Sequence, residues 1–180
     1  MERSSVFRHK KKQILFFLCF LRGTFHGTKR MRERILAIDL GTTTGWAARN
    51  VDGALSHGFV SFKVKAKDGA GMRYLRFRLW LEELPFEPQY VYYEQVMRHA
   101  GTQAAHVYGG LLAILSAYCE ERHIQYQGVG VGTIKKHATG KGNASKHEII
   151  KAAQNKGFAV SDDNEADALA ILFFALEHHD

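Results

Sequence analysis

From residue 34 onward the apolar residues shift between short runs, alternation and helical spacing, and these shifts outline a mixed α/β domain. The run Ile35-Leu36-Ala37-Ile38 closes on Asp39 and reads as a buried strand. Residues 42–49 continue the hairpin through turns at Gly41 and Gly45, and residues 53–62 return as a partner strand after the turn Asn50-Val51-Asp52-Gly53. Residues 63–71 form a polar, glycine-containing loop. Residues 72–84 take helical spacing, with Leu75, Leu79 and Trp80 on an apolar face and Arg73, Arg76 and Arg78 largely off it. Pro85 and Pro88 end that helix, because proline has no N–H for the helical ladder. A strand over 90–96, a long Ala- and Leu-rich helix over 102–123 and a strand over 124–131 come next. The pattern then predicts a basic, glycine-rich loop over 133–143. A helix over 144–156 follows with Ser145 as N-cap, and a last helix over 164–177 has acids at its start that suit the positive end of the helix dipole. This order suits a mixed sheet flanked by helices.

Charge changes the picture less than its total suggests. The net charge is +7, but residues 1–34 hold ten of the 25 Lys and Arg and only two of the 18 acids. The remainder, with 15 basic and 16 acidic side chains, is close to neutral, so a nucleic-acid surface must come from local clusters rather than from the overall balance. The leader pairs the basic stretch Arg8-His9-Lys10-Lys11-Lys12 with an apolar run over 14–21. That run is too short to span a bilayer and has no small-residue cleavage site after it. Translation is therefore expected to begin at Met31, with residues 1–30 either untranslated or a disordered tail; a membrane-surface anchor is the alternative. Residues 31–180 form one domain with a core. The two cysteines, Cys19 and Cys119, lack metal-ligand spacing and fit a reducing, cytoplasmic setting, with Cys119 acting as a small hydrophobe.

Candidate chemistry rests on three acids. Asp39 ends the first strand, Glu94 closes the run Tyr90-Val91-Tyr92-Tyr93, and Asp167 lies near the start of the last helix. Taken singly, they read as a turn-forming Asp before Gly, an exposed strand end and a helix N-terminal charge. A carboxylate at the end of an apolar strand is costly to desolvate unless something pairs with it, and two such strands with an acidic helix start suggest one shared partner, most simply divalent metal ions. The histidines His99, His106, His137 and His147 share no face with metal-ligand spacing and read as ordinary surface or helix residues.

Four stretches, in order, resemble the RuvC family of Holliday-junction resolvases within the RNase H-like superfamily. These are Ile38-Asp39-Leu40-Gly41 with Thr44-Gly45-Trp46; Glu94-Gln95-Val96; Thr133-Ile134-Lys135-Lys136 through Thr139-Gly140-Lys141-Gly142 to Ala144-Ser145-Lys146; and Glu165-Ala166-Asp167-Ala168-Leu169-Ala170. The resemblance covers about residues 34–176 and implies an RNase H-like mixed five-stranded sheet flanked by helices. It also implies hydrolysis of branched DNA, such as a four-way junction, with two Mg²⁺ or Mn²⁺ ions, leaving a 3′-hydroxyl and a 5′-phosphate. On this resemblance Asp39, Glu94, Asp167 and Glu165 are the catalytic candidates. Asp39 would bridge the ions, Glu94 would bind the one nearer the leaving oxygen, and Asp167 would bind the one holding the nucleophilic water.

Asn164 stands three residues before the final Asp, where the family places an acid or a His. An amide oxygen can ligate a hard cation without adding charge, so Asn164 joins Asp39, Glu94 and Asp167 as a metal candidate. Asp163, sharing a helix face with Asp167, and Glu165 are the alternatives for this fourth position. Lys135, Lys136, Lys141 and Lys146 are expected to meet DNA phosphates. Met97 stands where the family often has an aromatic wedge, and Met also serves as an apolar wedge. A second basic stretch, Lys63, Lys65, Lys67, Arg73, Arg76 and Arg78, offers a possible track for a DNA arm. The helix segment 109–117 is apolar around much of its circumference, which fits a homodimer with paired sites, although core packing is the alternative. The leader and compact size suit a bacteriophage or prophage gene. Two rivals stand beside this reading: a pseudo-nuclease that binds branched DNA without cutting, and a sugar-kinase or actin-like nucleotide-binding domain built on Asp39-Leu40-Gly41-Thr42-Thr43.

Overall fold

The computed structural model describes residues 33–98 and 101–179, so the expectations for residues 1–30, Cys19 and His99 lie outside the described residues. In chain order the elements are β1 Ile35–Asp39, β2 Thr43–Arg49, β3 Leu55–Ser61, α1 Met72–Glu82, β4 Tyr90–Gln95, α2 Thr102–Glu121, β5 Gln125–Gly130, α3 Val131–Thr139, α4 Lys146–Asn155 and α5 Asp163–His178. The five strands form one sheet in the order β3-β2-β1-β4-β5. β1 pairs antiparallel with β2 and β2 with β3, whereas β1 and β4, and β4 and β5, run parallel. This is the mixed five-stranded, helix-flanked sheet of the RNase H-like architecture.

Side chains alternate across each strand, so the sheet divides the core in two. Ile35, Ala37, Ala47 and Tyr92 face α3, α4 and α5, where Ile134, Ile149, Leu169, Ile171 and Leu172 close the layer. Leu36, Ile38, Ala48 and Val91 face α1 and α2, packing on Phe77, Leu81, Leu111 and Leu115. The same alternation fixes the site: Asp39 and Glu94 lie two residues beyond Ala37 and Tyr92, on the α5 face. They follow directly on Ile38 and Tyr93, which are paired between the parallel strands β1 and β4.

The stretch 133–143 is not one loop: residues 131–139 are helical, and only the remainder is a connection. Ile134 is buried against α5, and Gly140 adopts φ 80°, closing the helix in the left-handed conformation that glycine tolerates. Ser145 caps α4 through a reciprocal box with Glu148, as its position predicts. Cys119 is buried, and burial pushes its thiol up to about 12, which keeps it a hydrophobe.

Candidate active site

The carboxylates at the strand ends and the helix start meet at one end of the sheet. Asp39 arrives on β1, Glu94 on β4 and Asp167 on the second turn of α5, each partly buried. α5 reaches β1 by crossing β2 at Gly45. A Cβ on Gly45 would lie 1.8 Å from the backbone oxygen of Asn164, so only glycine lets the helix start settle there. Asp162 caps α5 by accepting from the Asn164 N–H at 2.9 Å. The strand end carrying Glu94 is held from the other face. The hydroxyl of Tyr108 on α2 donates to the Glu94 carbonyl at 2.9 Å and accepts from the Val96 N–H at 3.3 Å.

Electrostatics mark these acids as one group. Burial raises the Asp39 carboxyl well above the ordinary range, and repulsion from Glu94, Asp167 and Asp163 adds to it, opposed by Lys146. Burial pushes Glu94 up to about 7, with Asp167 adding and Lys135 opposing. Burial pushes Asp167 up to about 6, countered by Lys135, raised further by Asp163 and countered again by Lys146. Asp163 moves the other way, lowered chiefly by its hydrogen bond to Lys146. Among the described residues, no three His, Cys, Asp or Glu side chains stand close enough to close on an ion as they are. Asp163 is held by its pairing with Lys146.

One sequence expectation is corrected here. Glu165 does not join the cluster: two residues on a helix turn through about 200°, so it points away from Asp167. Its Oε1 lies 2.8 Å from Nδ1 of His57 on β3, and its Oε2 accepts from the Ser161 N–H at 3.1 Å. Thr44 is fully buried, donates to the Gly41 carbonyl at 2.8 Å and accepts from the Gly41 N–H at 3.3 Å, so its hydroxyl serves its own turn.

The other candidates divide. Asn164 turns its amide Nδ2 to Asp162 at 2.6 Å, whereas Asp163, one residue earlier, acts electrostatically on both Asp39 and Asp167. Lys135 bonds the Ala144 carbonyl at 2.8 Å with its charge felt by Glu94 and Asp167. Lys136 is exposed and Lys141 pairs with Glu148 at 3.2 Å. Met97 is 80 % exposed just beyond β4. In the second basic stretch Arg76 is engaged with Asp68 at 2.6 Å and the Lys63 carbonyl at 3.1 Å, and Arg73 with the Phe62 carbonyl at 3.4 Å. These arginines shape the loop, leaving Lys63, Lys65 and Lys67 exposed. His57 is the residue sequence reasoning missed. Its one signal was indirect, an acid in the first turn of α5 that burial would oblige to find a partner.

Comparison with known proteins agrees with this geometry. No protein-family model matches the chain. It is 27 % identical to the crossover junction endodeoxyribonuclease RuvC of Orientia tsutsugamushi (strain Ikeda), across 81 % of this chain and 96 % of that protein. Among solved structures it resembles Thermus thermophilus RuvC in complex with a Holliday junction substrate, with TM-score 0.66, 25 % identity, and coverage of 81 % of this chain and 96 % of that one. It shares only its fold with the yeast mitochondrial Holliday junction resolvase Ydc2, at 18 % identity and TM-score 0.54 over 82 % of each chain. On these likenesses, the chain is similar to RuvC in both sequence and fold.

Proposed function

We propose that this protein is a metal-dependent, structure-selective endodeoxyribonuclease that cleaves Holliday junctions or related branched DNA. The observation that carries this reading is the convergence of Asp39, Glu94 and Asp167 from three elements into one partly buried cluster, where burial and mutual repulsion raise their affinity for protons. An all-oxygen donor set suits Mg²⁺ or Mn²⁺, and buried acids that repel one another favour a cation between them. Asp39, Glu94 and Asp167 would hold the ions, with Asp163 as the fourth ligand in preference to Asn164, since it shares the Asp167 face and carries charge. Bound in a pair, such ions supply charge neutralisation at the attacking and leaving oxygens and an activated water.

The chain's own groups do the rest. Lys135 and Lys146 face the acids and suit phosphate oxygens on either side of the scissile bond, and Lys146 would exchange Asp163 for phosphate as DNA enters. Lys136 and Lys141 would extend that contact along the backbone, and Met97 would insert at the branch. Two cuts across a four-way junction need paired sites, and the exposed small residues Gly109, Ala113 and Ala117 of α2 permit the close approach of a second copy, which supports a homodimer. Among the described residues no helix is long and apolar enough to cross a membrane, and the cytoplasm, where DNA is recombined, is the proposed site of action.

The test is incubation of the full-length chain with a labelled four-way junction and a linear duplex of equal length, in Mg²⁺, Mn²⁺ or EDTA, beside Asp39→Asn. Paired nicks confined to the junction and lost both in EDTA and in Asp39→Asn are expected. Tight junction binding with no cut in either metal would replace this reading with a junction-binding pseudo-nuclease.

A further inference from the structure

Glu165 leaves the cluster, yet it is only 7 % exposed and sits in sequence between Asp163 and Asp167. A carboxylate so enclosed is tolerable only when both oxygens are satisfied. Here one meets Nδ1 of His57 at 2.8 Å and the other the Ser161 N–H at 3.1 Å. An ionised carboxylate only accepts, so Nδ1 of His57 carries the proton in that bond. The imidazole is itself fixed, packed edge-on against Phe158 at 5.5 Å, which in turn meets Phe173 of α5 at 5.4 Å. His57 belongs to β3, at the edge of the sheet and two strands from Asp39. The bond therefore ties the first turn of α5 to the rigid sheet at a second point beyond its seat on Gly45. Gly45 sets how closely the helix start approaches, and the Glu165 bond sets how it is turned about its own axis.

We propose that His57 and Glu165 are positioning residues that fix the rotation of the α5 first turn and so keep Asp163 and Asp167 aimed at Asp39. The inference rests on the nuclease reading above. In this role both act through α5, since the Glu165 oxygens are taken up by His57 and Ser161. Freed from His57, the Glu165 carboxylate moves toward water, the first turn rotates with it, and the two acids on the opposite side swing away from Asp39. Partners that orient a ligand without binding the metal are typically worth about 10- to 100-fold in metal affinity, and the lower end of that range is expected for an oxygen site reached through one helical turn.

The experiment is calorimetric titration of Mn²⁺ into the full-length chain without DNA, paired with the Mn²⁺ dependence of junction cleavage. The variants are His57→Phe, Glu165→Ala, Glu165→Gln, the double variant His57→Phe/Glu165→Ala, and Asp167→Asn. His57→Phe fills the same space against Phe158 and removes only the donor, so it remains informative if Glu165→Ala fails to fold. His57→Phe and Glu165→Ala are each expected to weaken Mn²⁺ binding about tenfold and shift the cleavage midpoint equally, with the maximal rate recovered at saturating Mn²⁺. The double variant is no worse than Glu165→Ala, because the two changes break one interaction. Glu165→Gln, which still accepts from Ser161 and offers its amide to the imidazole in its other tautomer, recovers most of the affinity. An unchanged Mn²⁺ midpoint in His57→Phe beside an active wild type would overturn the inference alone. Glu165→Gln as damaging as Asp167→Asn would also overturn it, by making Glu165 a ligand. A wild type that neither binds Mn²⁺ nor cuts would bring down the nuclease reading and this inference together.

Discussion

The two ends of the sheet handle charge in opposite ways. At the end opposite the three acids, Glu33 lies 3.7 Å from Arg49 and 3.4 Å from Nε2 of His179, and the His179 Nδ1 meets the Tyr92 hydroxyl at 2.7 Å, with the imidazole edge-on to Tyr90. Every group in that network has an opposite or complementary neighbour, and the chain closes around it. At the other end three partly buried carboxylates repel one another, and the lysines Lys135 and Lys146 lower their cost only in part. The first arrangement joins the C-terminus to the sheet. The second stores an electrostatic cost that a bound cation would relieve. The same strands, β1 and β4, serve both ends, so paired charge and unrelieved charge are segregated along the strand direction rather than between faces.

This contrast is broken most strongly at Asp39. Asp39→Asn should lower junction cleavage by roughly 10³-fold, the scale of losing one strong transition-state electrostatic contact, while the melting temperature in EDTA holds or rises because a repelled charge has gone. Cleavage assays and thermal melts on one preparation would check both halves, and a large loss of stability would contradict the picture of an electrostatically costly cleft.

The next largest effect is expected at the seat of α5. Gly45→Ala drives a Cβ into the Asn164 backbone and should cost about 3 kcal/mol, seen as a lower urea midpoint. Gly110→Ala meets the Tyr74 ring, at 2.3 Å, and a side chain yields more readily than backbone, so its cost should be smaller.

Acid should sharpen the contrast. Glu94 and Asp167 titrate near 7 and 6 in the folded chain, above their unfolded values, so the native state binds more protons and loses stability as pH rises through that window. In EDTA the melting temperature should therefore increase from pH 8 to pH 5.5 by a few degrees, the shift about 1 kcal/mol produces in a chain of this length. Saturating Mg²⁺ should flatten the profile by supplying the missing positive charge; an equally steep profile in Mg²⁺ would argue against cation binding at these acids.

The smallest effect belongs to the paired end. Tyr92→Phe removes the hydroxyl bonded to His179 and should cost about 1 kcal/mol in denaturant melts, leaving the cleavage rate and its Mg²⁺ midpoint unmoved.

Much of this was legible in the chain. Apolar runs and turn signals placed all five strands within a few residues of their observed ends. The Asp39, Glu94 and Asp167 stretches pointed to a shared site because an acid closing an apolar strand needs a reason to be there. The basic segment was misread. Gly130, Gly132 and β-branched Val131 and Thr133 argue against a helix locally, yet Ile134 gains burial against α5, and that tertiary contact outweighs propensity.

Sequence by itself determined the alternation that sends Asp39 and Glu94 to one face of the sheet, the caps that start α4 and α5, and the spacing that separates Asp163 and Asp167 from Glu165, because these depend on residues a few positions apart. Only the tertiary structure decided what Glu165 does. Its partner His57 is 108 residues away on an edge strand, and no local period links an acid in a helix to a histidine brought beside it by sheet order. A helix start can be read from its neighbours in the chain; the rotation at which it docks is set by whatever the rest of the fold presses against it.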